Sequence, residues 1–142
     1  IEYFTGEDMI LLDTSFLVAW EVEGDQNHER AIELGEKIIS KKFGSIIISD
    51  YIFDETITTS FKKTKDLNKS VSIVENLKLS MEIINLDQGI LEEAGDIFKD
   101  QEDTRFSFTD CTTIACMRGN IIKNLATFDK DFKKLKEINV IE

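Results

Sequence analysis

The sequence is poor in the residue types from which several common functional sites are built. Among its 142 residues there are one histidine and two cysteines, and proline is absent. A structural zinc site needs four Cys or His ligands, so three such residues exclude it. The lone His28 has no serine or cysteine beside it in a recognisable motif, which argues against a histidine-activated nucleophile.

The two cysteines are also badly placed for a disulfide bond. Cys111 and Cys116 lie five residues apart in a predicted helix, so that their side chains point in different directions. We therefore expect two free thiols, a state that suits a reducing compartment.

Long apolar segments are missing as well. No apolar run approaches the roughly 20 residues that a membrane-spanning helix needs, and the N-terminus lacks the basic-then-apolar pattern of a secretory signal. We accordingly expect a cytoplasmic protein. Residues 1–8 are polar and aperiodic and are interpreted as a leader or an expression-vector remnant. Residues 9–142 are interpreted as a single domain with one core.

Positive charge is in short supply, which restricts the possible partners. The formal net charge is -11, whereas a protein that coats nucleic acid does so with a basic face. A nucleic-acid role must therefore depend on a local basic patch, on bound metal ions, or on both. Two groups of basic residues could contact nucleic-acid phosphates, although most such residues only form a solvated surface. They are Lys41, Lys42, Lys62, Lys63, Lys65 and Lys69, and Arg118, Lys123, Lys130, Lys133, Lys134 and Lys136.

What the sequence does contain is a regular alternation of short apolar runs and amphipathic segments. The runs at residues 9–12, 45–48, 81–86, 124–127 and 139–141 predict strands, and helical patterns lie between them. Strands that alternate with helices along a whole chain favour a parallel sheet covered by helices on both faces. The fold class predicted is therefore a three-layer α/β/α arrangement.

Helical spacing further predicts which helix faces are buried. The expected core faces are Ala31, Leu34, Ile38 and Ile39 at residues 27–40, and Leu67, Val71, Val74 and Leu77 at residues 67–80. Gly119 is expected to end the helix at residues 109–118, because glycine commonly follows the last helical turn.

Acidic residues follow the predicted strands with some regularity. They are Asp13 after the first strand, Asp50, Asp54 and Glu55 after the second, Asp110 after a polar loop, and Asp129 and Asp131 after the fourth. Ligands of open parallel sheets bind at the carboxyl ends of the strands. Taken singly, each Asp could simply cap a helix, and Ser107 to Asp110 fits a capping box.

Glu55 does not fit the capping explanation, because it lies about one turn inside its predicted helix. Its neighbours Ile52, Phe53, Ile57 and Phe61 are apolar, so an unpartnered carboxylate there would be costly. Several converging acids would repel one another and raise each other's pKa. A divalent cation removes this conflict, and carboxylate oxygens are ligands that suit magnesium and manganese.

Four short motifs surround these acids. They are Leu11-Leu12-Asp13-Thr14-Ser15, Asp50-Tyr51-Ile52-Phe53-Asp54-Glu55-Thr56, Phe108-Thr109-Asp110-Cys111 and Leu125-Ala126-Thr127-Phe128-Asp129-Lys130-Asp131-Phe132. In this order, on this strand–helix pattern, they resemble the motifs of the PIN-domain ribonucleases, which include the VapC-type toxins of prokaryotic toxin–antitoxin pairs. The resemblance extends from Met9 to the C-terminus.

The resemblance implies a five-stranded parallel sheet in the order 3-2-1-4-5, with the acids in one pocket. It also implies Mg²⁺- or Mn²⁺-dependent hydrolysis of phosphodiester bonds in RNA, a homodimer and an antitoxin protein as a further partner. Asp13, Asp110 and Asp129 would then bind the metal, directly or through water. Glu55 would be a fourth catalytic acid that binds metal or orients the attacking water.

Three hydroxyl residues are candidates for a supporting role. Thr14 or Ser15 could help to bind metal or phosphate, as the resemblance suggests, or could only cap the first helix. Thr127 could orient Asp129 or cap the helix that follows it.

Two other acids would replace the preferred ones if those proved misplaced. Asp131 is the substitute for Asp129, and Asp54 is the substitute for Glu55. Asp54 is the less favoured of that second pair, because one helical step turns it away by about 100°.

Other protein classes fit less well. A phosphoacceptor receiver domain would have paired acids at the first strand, and a haloacid-dehalogenase phosphatase would have a second acid two places after Asp13. The sequence has Thr14 and Ser15 there instead. A PIN-like RNA-binding or scaffolding module without turnover remains the alternative to an enzyme.

Overall fold

The computed structural model describes residues 9–142, so the interpretation of residues 1–8 as a leader lies outside the described residues. The strands are β1 (Met9–Leu12), β2 (Ser45–Ser49), β3 (Glu82–Ile84), β4 (Asn124–Ala126) and β5 (Asn139–Ile141). All their pairings are parallel, and they form one sheet in the order β3-β2-β1-β4-β5. The predicted sheet order is confirmed.

Helices connect these strands. They are α1 (Thr14–Glu21), α2 (His28–Ile39), α3 (Asp50–Thr64), α4 (Leu67–Ser80), α5 (Gln88–Lys99), α6 (Phe108–Asn120) and a short 3-10 helix (Lys130–Lys134). Helix α1 packs on α2 and α3, α3 packs on α4, and α5 packs on α6. No helix of residues 9–142 is long and apolar enough to cross a membrane.

The central strand β1 fixes the position of Asp13, the acid that directly follows it. Ile10, Leu11 and Leu12 of the central strand are fully buried, as expected for a parallel sheet that is covered on both faces. The β1–β4 register pairs Leu12 with Ala126, and the N–H of Asp13 donates to the Ala126 carbonyl at 3.0 Å. The chain segments that follow β1 and β4 therefore leave the sheet side by side.

Side-chain caps fix where the site helices begin. The Ser49 hydroxyl accepts the N–H of Ile52 at the start of α3. At the start of α6, Ser107 and Asp110 form the predicted capping box. These caps satisfy backbone donors that the first helical turn leaves unpaired. Both predicted free thiols are confirmed, and Cys111 and Cys116 are buried.

Two predicted core faces were partly wrong. In α2, Ile39 is 59% exposed while Ile38 is buried, because adjacent helical residues point about 100° apart and only one can face the core. In α4, Leu67 and Val71 are exposed. The buried residues of that helix are Ser70, Ile73 and Leu77, so Leu77 is the one residue of the predicted face that is buried.

The predicted end of α6 was also wrong. The helix continues through Gly119 to Asn120, and Ile121 is its C-terminal cap. Ile121 adopts a left-handed conformation with φ of 55°, which a β-branched residue rarely does. The cap N–H donates to the carbonyl of Arg118, so the left-handed turn satisfies the end of the helix without glycine.

Candidate active site

The four predicted acids line a single open cavity at the carboxyl end of the sheet. Its volume is about 430 Å³. The residues that line it are Asp13, Thr14, Ser15, Val18, Asp25, Gln26, Asn27, Glu55, Thr59, Lys63, Ser107, Asp110, Phe128 and Asp129. Four chain segments that are far apart in sequence thus bring their carboxylates to one place.

Asp13 lies at the bottom of this cavity and is only 3% exposed. Its Oδ2 accepts hydrogen bonds from the hydroxyls of Thr127 at 2.7 Å and Ser15 at 3.0 Å. The two hydroxyl oxygens are themselves 3.1 Å apart. A carboxylate held by two hydroxyl groups in a buried position has little freedom to move, so its orientation is fixed.

Thr127 and Ser15 also hold the chain segment that carries Asp129. The N–H of Asp129 donates to Thr127 Oγ1 at 3.0 Å, and the N–H of Phe128 donates to Ser15 Oγ at 3.0 Å. Thr127 therefore links Asp13 to the backbone of Asp129. Its hydroxyl does more than cap the following helix, which was the alternative left open by the sequence.

Burial and repulsion between carboxylates raise the pKa of two acids of this cavity, Asp13 and Asp110. Burial is the main cause that raises the pKa of Asp13, and the negative charge of Glu55 adds to it, while hydrogen bonds from Thr127 and Ser15 lower it. For Asp110, burial and then the charges of Asp13 and Asp129 raise the pKa to about 7. Asp110 and its neighbours are thus close enough to oppose each other's ionisation.

The capping box positions Asp110 at the N-terminus of α6. Its Oδ2 accepts the N–H of Ser107 at 2.9 Å, and its own N–H donates to the Ser107 hydroxyl at 3.1 Å. The same carboxylate therefore caps a helix and lines the cavity. Asp110 can therefore cap α6 and belong to the site at the same time.

Both substitute acids lie outside the cavity lining. Asp54 is exposed and borders a neighbouring hollow instead. Asp131 accepts the N–H of Arg105 at 2.9 Å and pairs with Lys134 at 3.1 Å, and these contacts lower its pKa. The structure therefore favours Glu55 over Asp54.

Thr14 differs from the other hydroxyl residues of the cavity. Its Oγ1 is buried and has no hydrogen-bond partner within residues 9–142, although buried hydroxyls are normally paired. The side chain lines the cavity beside Asp13. An unpaired acceptor at this point is suited to a ligand that brings its own donor, such as a water molecule.

Comparison with known proteins identifies the family. The model of the PIN domain family matches residues 10–138. The chain belongs to the PIN domain family. This PIN domain is 26% identical over 124 residues to the 23S rRNA-specific endonuclease VapC20 of Mycobacterium tuberculosis, and the alignment covers 87% of this chain and 92% of VapC20.

Solved structures share the same fold. The crystal structure of M. tuberculosis VapC20, a sarcin-ricin loop cleaving toxin, matches with a TM-score of 0.78 at 24% identity and covers 89% of this chain and 95% of its own. VapBC2 from Rickettsia felis, bound to a DNA fragment from its promoter, matches with a TM-score of 0.69 at 17% identity and covers 94% and 97%. The predicted resemblance is confirmed.

The cavity of this PIN domain offers only oxygen and nitrogen donors, and its acids are hard ligands. Within residues 9–142, no three His, Cys, Asp or Glu side chains are arranged to hold a metal ion together. The acids share a cavity without being gathered into a metal-ligand cluster. Magnesium usually keeps several of its waters when a protein binds it. The chemistry of the side chains, rather than their spacing, therefore suits magnesium.

Four polar residues of the cavity lining were not predicted as members of the site: Asp25, Gln26, Asn27 and Thr59. Lys63, which the sequence offered only as one of several possible phosphate contacts, also lines the cavity. Thr59 and Lys63 follow Glu55 at intervals of four residues, a spacing that places all three on one face of α3. Asp25 lies in the loop between α1 and α2, where no sequence pattern predicts that it lines the cavity.

Proposed function

We propose that this PIN domain is an Mg²⁺- or Mn²⁺-dependent endoribonuclease that hydrolyses phosphodiester bonds in RNA, as the toxin of a toxin–antitoxin pair. The observation that carries the proposal is the single cavity lined by Asp13, Glu55, Asp110 and Asp129. Raised pKa values of Asp13 and Asp110 support it, because such values cluster at functional sites. RNA as substrate is supported by the relative VapC20, a 23S rRNA-specific endonuclease.

In this proposal Asp13, Asp110 and Asp129 bind the divalent cation, directly or through water, and Glu55 binds it or orients the attacking water. When bound, the cation lowers the pKa of a water molecule and balances the charge that develops on the phosphate. Carboxylates and water are the ligands that magnesium and manganese prefer.

The chain supplies orientation and proton control. Thr127 and Ser15 fix the Asp13 carboxylate at distances of 2.7 and 3.0 Å, and hydrogen bonds of this kind around a ligating group strongly affect metal affinity. Asp110 keeps a proton below about pH 7. Because carboxylates bind metal in the ionised form, we infer that metal affinity falls as the pH drops below this value.

The alternative is a PIN-like module that binds RNA or acts as a scaffold without turnover. Such a module would have no use for several repelling carboxylates in one cavity, an arrangement that costs stability. The full set of four acids on one cavity therefore favours the enzyme.

The partner proteins proposed are a second copy of the chain and an antitoxin. Structures that share the fold include a toxin–antitoxin complex from Klebsiella pneumoniae. An apolar groove between α3 and α4 exposes Phe61, Leu67 and Val71, and we propose this groove as the surface on which a protein partner packs. Light scattering at micromolar concentration tests the homodimer, and a purely monomeric protein would contradict it.

A cleavage assay tests the activity. The purified chain is incubated with a panel of RNAs that includes 23S rRNA, with EDTA, and with Mg²⁺ or Mn²⁺ restored. We expect cleavage only with metal, and none from Asp110→Asn, which keeps the shape of the side chain while removing its charge. Cleavage that survives thorough metal removal would overturn the metal mechanism. Equal cleavage by Asp110→Asn would remove Asp110 from the site.

A further inference from the structure

Helix α3 carries a line of polar side chains along one wall of the cavity. Glu55, Thr59 and Lys63 are spaced by four residues, and all three line the cavity. Eight residues of helix separate Glu55 from Lys63, which corresponds to about 12 Å along the axis. The acid lies among the other carboxylates, and the lysine lies at the far end of the same wall.

Lys63 is the only basic side chain among the described residues that line this cavity, where five acids also lie. Its Nζ is 3.4 Å from Oδ2 of Asp25. The Asp25 side chain is only 11% exposed, whereas that of Lys63 is 52% exposed. Asp25 is itself fixed, because its Oδ1 accepts the N–H of Asn27 at 2.8 Å. A rigid anion thus holds a half-exposed ammonium group beside the cavity.

This ion pair has little to do with stability. The ammonium end of the pair is half-exposed and the distance is 3.4 Å, and pairs that solvent reaches in this way contribute little to folding. A lysine ammonium has three N–H donors. Within residues 9–142, Asp25 is the one residue that accepts a hydrogen bond from the ammonium of Lys63. The ammonium can therefore bind a further anion while it stays next to Asp25.

Electrostatics indicate what that anion is. The chain has a net charge of -11 and its cavity is acidic, so an RNA strand is repelled everywhere except at compensating cations. A cation among the carboxylates would compensate only for the phosphate being cleaved. Lys63 and Glu55 leave α3 about 12 Å apart along its axis, so the ammonium group is placed toward a part of the strand other than the phosphate held at the carboxylates.

We propose that Lys63 binds a second backbone phosphate of the RNA, a few nucleotides away from the scissile one, and that Asp25 holds its ammonium in place. This inference rests on the proposed ribonuclease function, whose substrate it positions. Because phosphate contacts fix register without reading sequence, Lys63 would act on substrate binding for any RNA sequence.

Binding to a single-stranded 2′-O-methyl RNA of about 12 nucleotides tests this, by fluorescence anisotropy in Mg²⁺ over a range of KCl concentrations. For Lys63→Gln we expect a Kd about 5-fold higher and a salt dependence of log Kd that is smaller by about 0.7. Lys63→Arg should keep the wild-type Kd within about 2-fold, since it retains the charge. The matched control is Lys78→Gln, which removes an exposed lysine from the last turn of α4 and should change neither value.

Cleavage kinetics and thermal melting complete the test. We expect Lys63→Gln to raise KM with little change in kcat and to leave Tm within about 2 °C of the wild type. Failure of the wild type to bind the probe would overturn the inference, as would identical results for Lys63→Gln and Lys78→Gln. If no RNA is cut under any condition, the proposed function fails. If the wild type cuts RNA and Lys63→Gln has an unchanged KM, only the inference fails.

Discussion

The two walls of the cavity differ in how firmly their side chains are held. On the wall at the carboxyl ends of β1 and β4, called the sheet wall, Asp13 and Ser15 line the cavity. They are joined to each other and to Thr127 by contacts of 2.7 to 3.1 Å, and Asp13 is 3% exposed. On the α3 wall, Lys63 is half-exposed and meets Asp25 at 3.4 Å. One wall is buried and rigid, and the other is open to solvent.

This difference suggests a division of labour within the site. Groups that act on the reacting atoms need fixed positions, because small displacements from the productive geometry reduce the rate strongly. Groups that receive a long and flexible substrate can remain adaptable. The sheet wall therefore matches the catalytic centre of the proposed nuclease, and the α3 wall matches the approach of the RNA. The experiments below test this comparison, beginning with the largest expected effect.

Removing the central charge of the rigid wall should have the largest effect. We expect Asp13→Asn to lower kcat/KM for RNA by about 100-fold or more, without loss of folding, as measured by cleavage kinetics and circular dichroism. The matched control is Asp54→Asn, an exposed acid outside the cavity lining, whose activity should stay within about 2-fold. Equal losses in the two variants would mean that the cavity has no special role.

Loosening the rigid wall without touching a carboxylate should have an intermediate effect. Thr127→Val removes the 2.7 Å hydrogen bond to Asp13, so we expect a loss of activity of about 10- to 100-fold. The hydrogen bond also lowers the pKa of Asp13, and its loss should shift the acidic limb of the pH–rate profile to higher pH.

Thr56→Val provides the control for this substitution. Thr56 is fully buried, and its Oγ1 has no hydrogen-bond partner within the part of the chain that the structure describes. The same change there removes a hydroxyl that makes no hydrogen bond, so stability should be unchanged or improved and activity retained. Similar activity in the two variants would contradict an orienting role for Thr127.

The pH dependence of stability should reveal the cost of ionising the buried acids of the rigid wall. The ordinary pKa of the Asp110 carboxyl is 3.8, and in the folded chain it is about 7, with that of Asp13 also raised. Folding then favours the protonated form, so this stabilisation is complete below about pH 3.8 and is lost as the pH rises through about 7. In EDTA we expect Tm to fall between about pH 4 and 7 and to level off above that range, as measured by scanning calorimetry.

A substitution and a metal ion should each remove much of this fall in Tm. Asp110→Asn cannot ionise at that position, and Mn²⁺ favours the ionised carboxylates by binding to them. Either change should raise Tm at pH 8 by a few degrees relative to the metal-free wild type. A wild-type Tm that rises with pH in EDTA would contradict the raised pKa values.

The smallest expected effect lies at the other end of α6, away from Asp110. Ile121 has a φ of 55° and is 66% exposed, so its conformation is unfavourable and its side chain gains little from packing. Ile121→Asn should raise the free energy of unfolding by about 0.5 kcal/mol without changing activity. Denaturant titration measures the first and cleavage kinetics the second, and a destabilised variant would show that Ile121 packs more favourably than its exposure suggests.

The fold was predictable from sequence wherever one pattern dominated. The strand of residues 9–12 and its neighbours consist of buried apolar runs that admit one interpretation, and their bounds were predicted closely. Helix α4 shows the opposite case. Its apolar residues form two overlapping stripes, and packing on the core buried Ile73 and Leu77 while it left Leu67 and Val71 exposed. Helix propensity and hydrophobic periodicity do not predict which of the two stripes is buried.

The site was predictable to the extent that it follows from strand ends. Asp13 and Asp129 follow adjacent strands, so parallel topology alone brings them together. The bond between Thr127 and Asp13 depends on the β1–β4 register, and the approach of Asp25 to Lys63 depends on how a loop folds over α3. Such contacts arise from tertiary packing and have no signature in local sequence.

The most direct test of the central claim is a crystal of the chain soaked in Mn²⁺ and measured at the manganese absorption edge. If the four carboxylates form a metal centre, an anomalous peak will lie in the cavity, within coordination or water-bridged distance of Asp13, Asp110 and Asp129. An empty cavity at a manganese concentration that supports RNA cleavage would contradict the account.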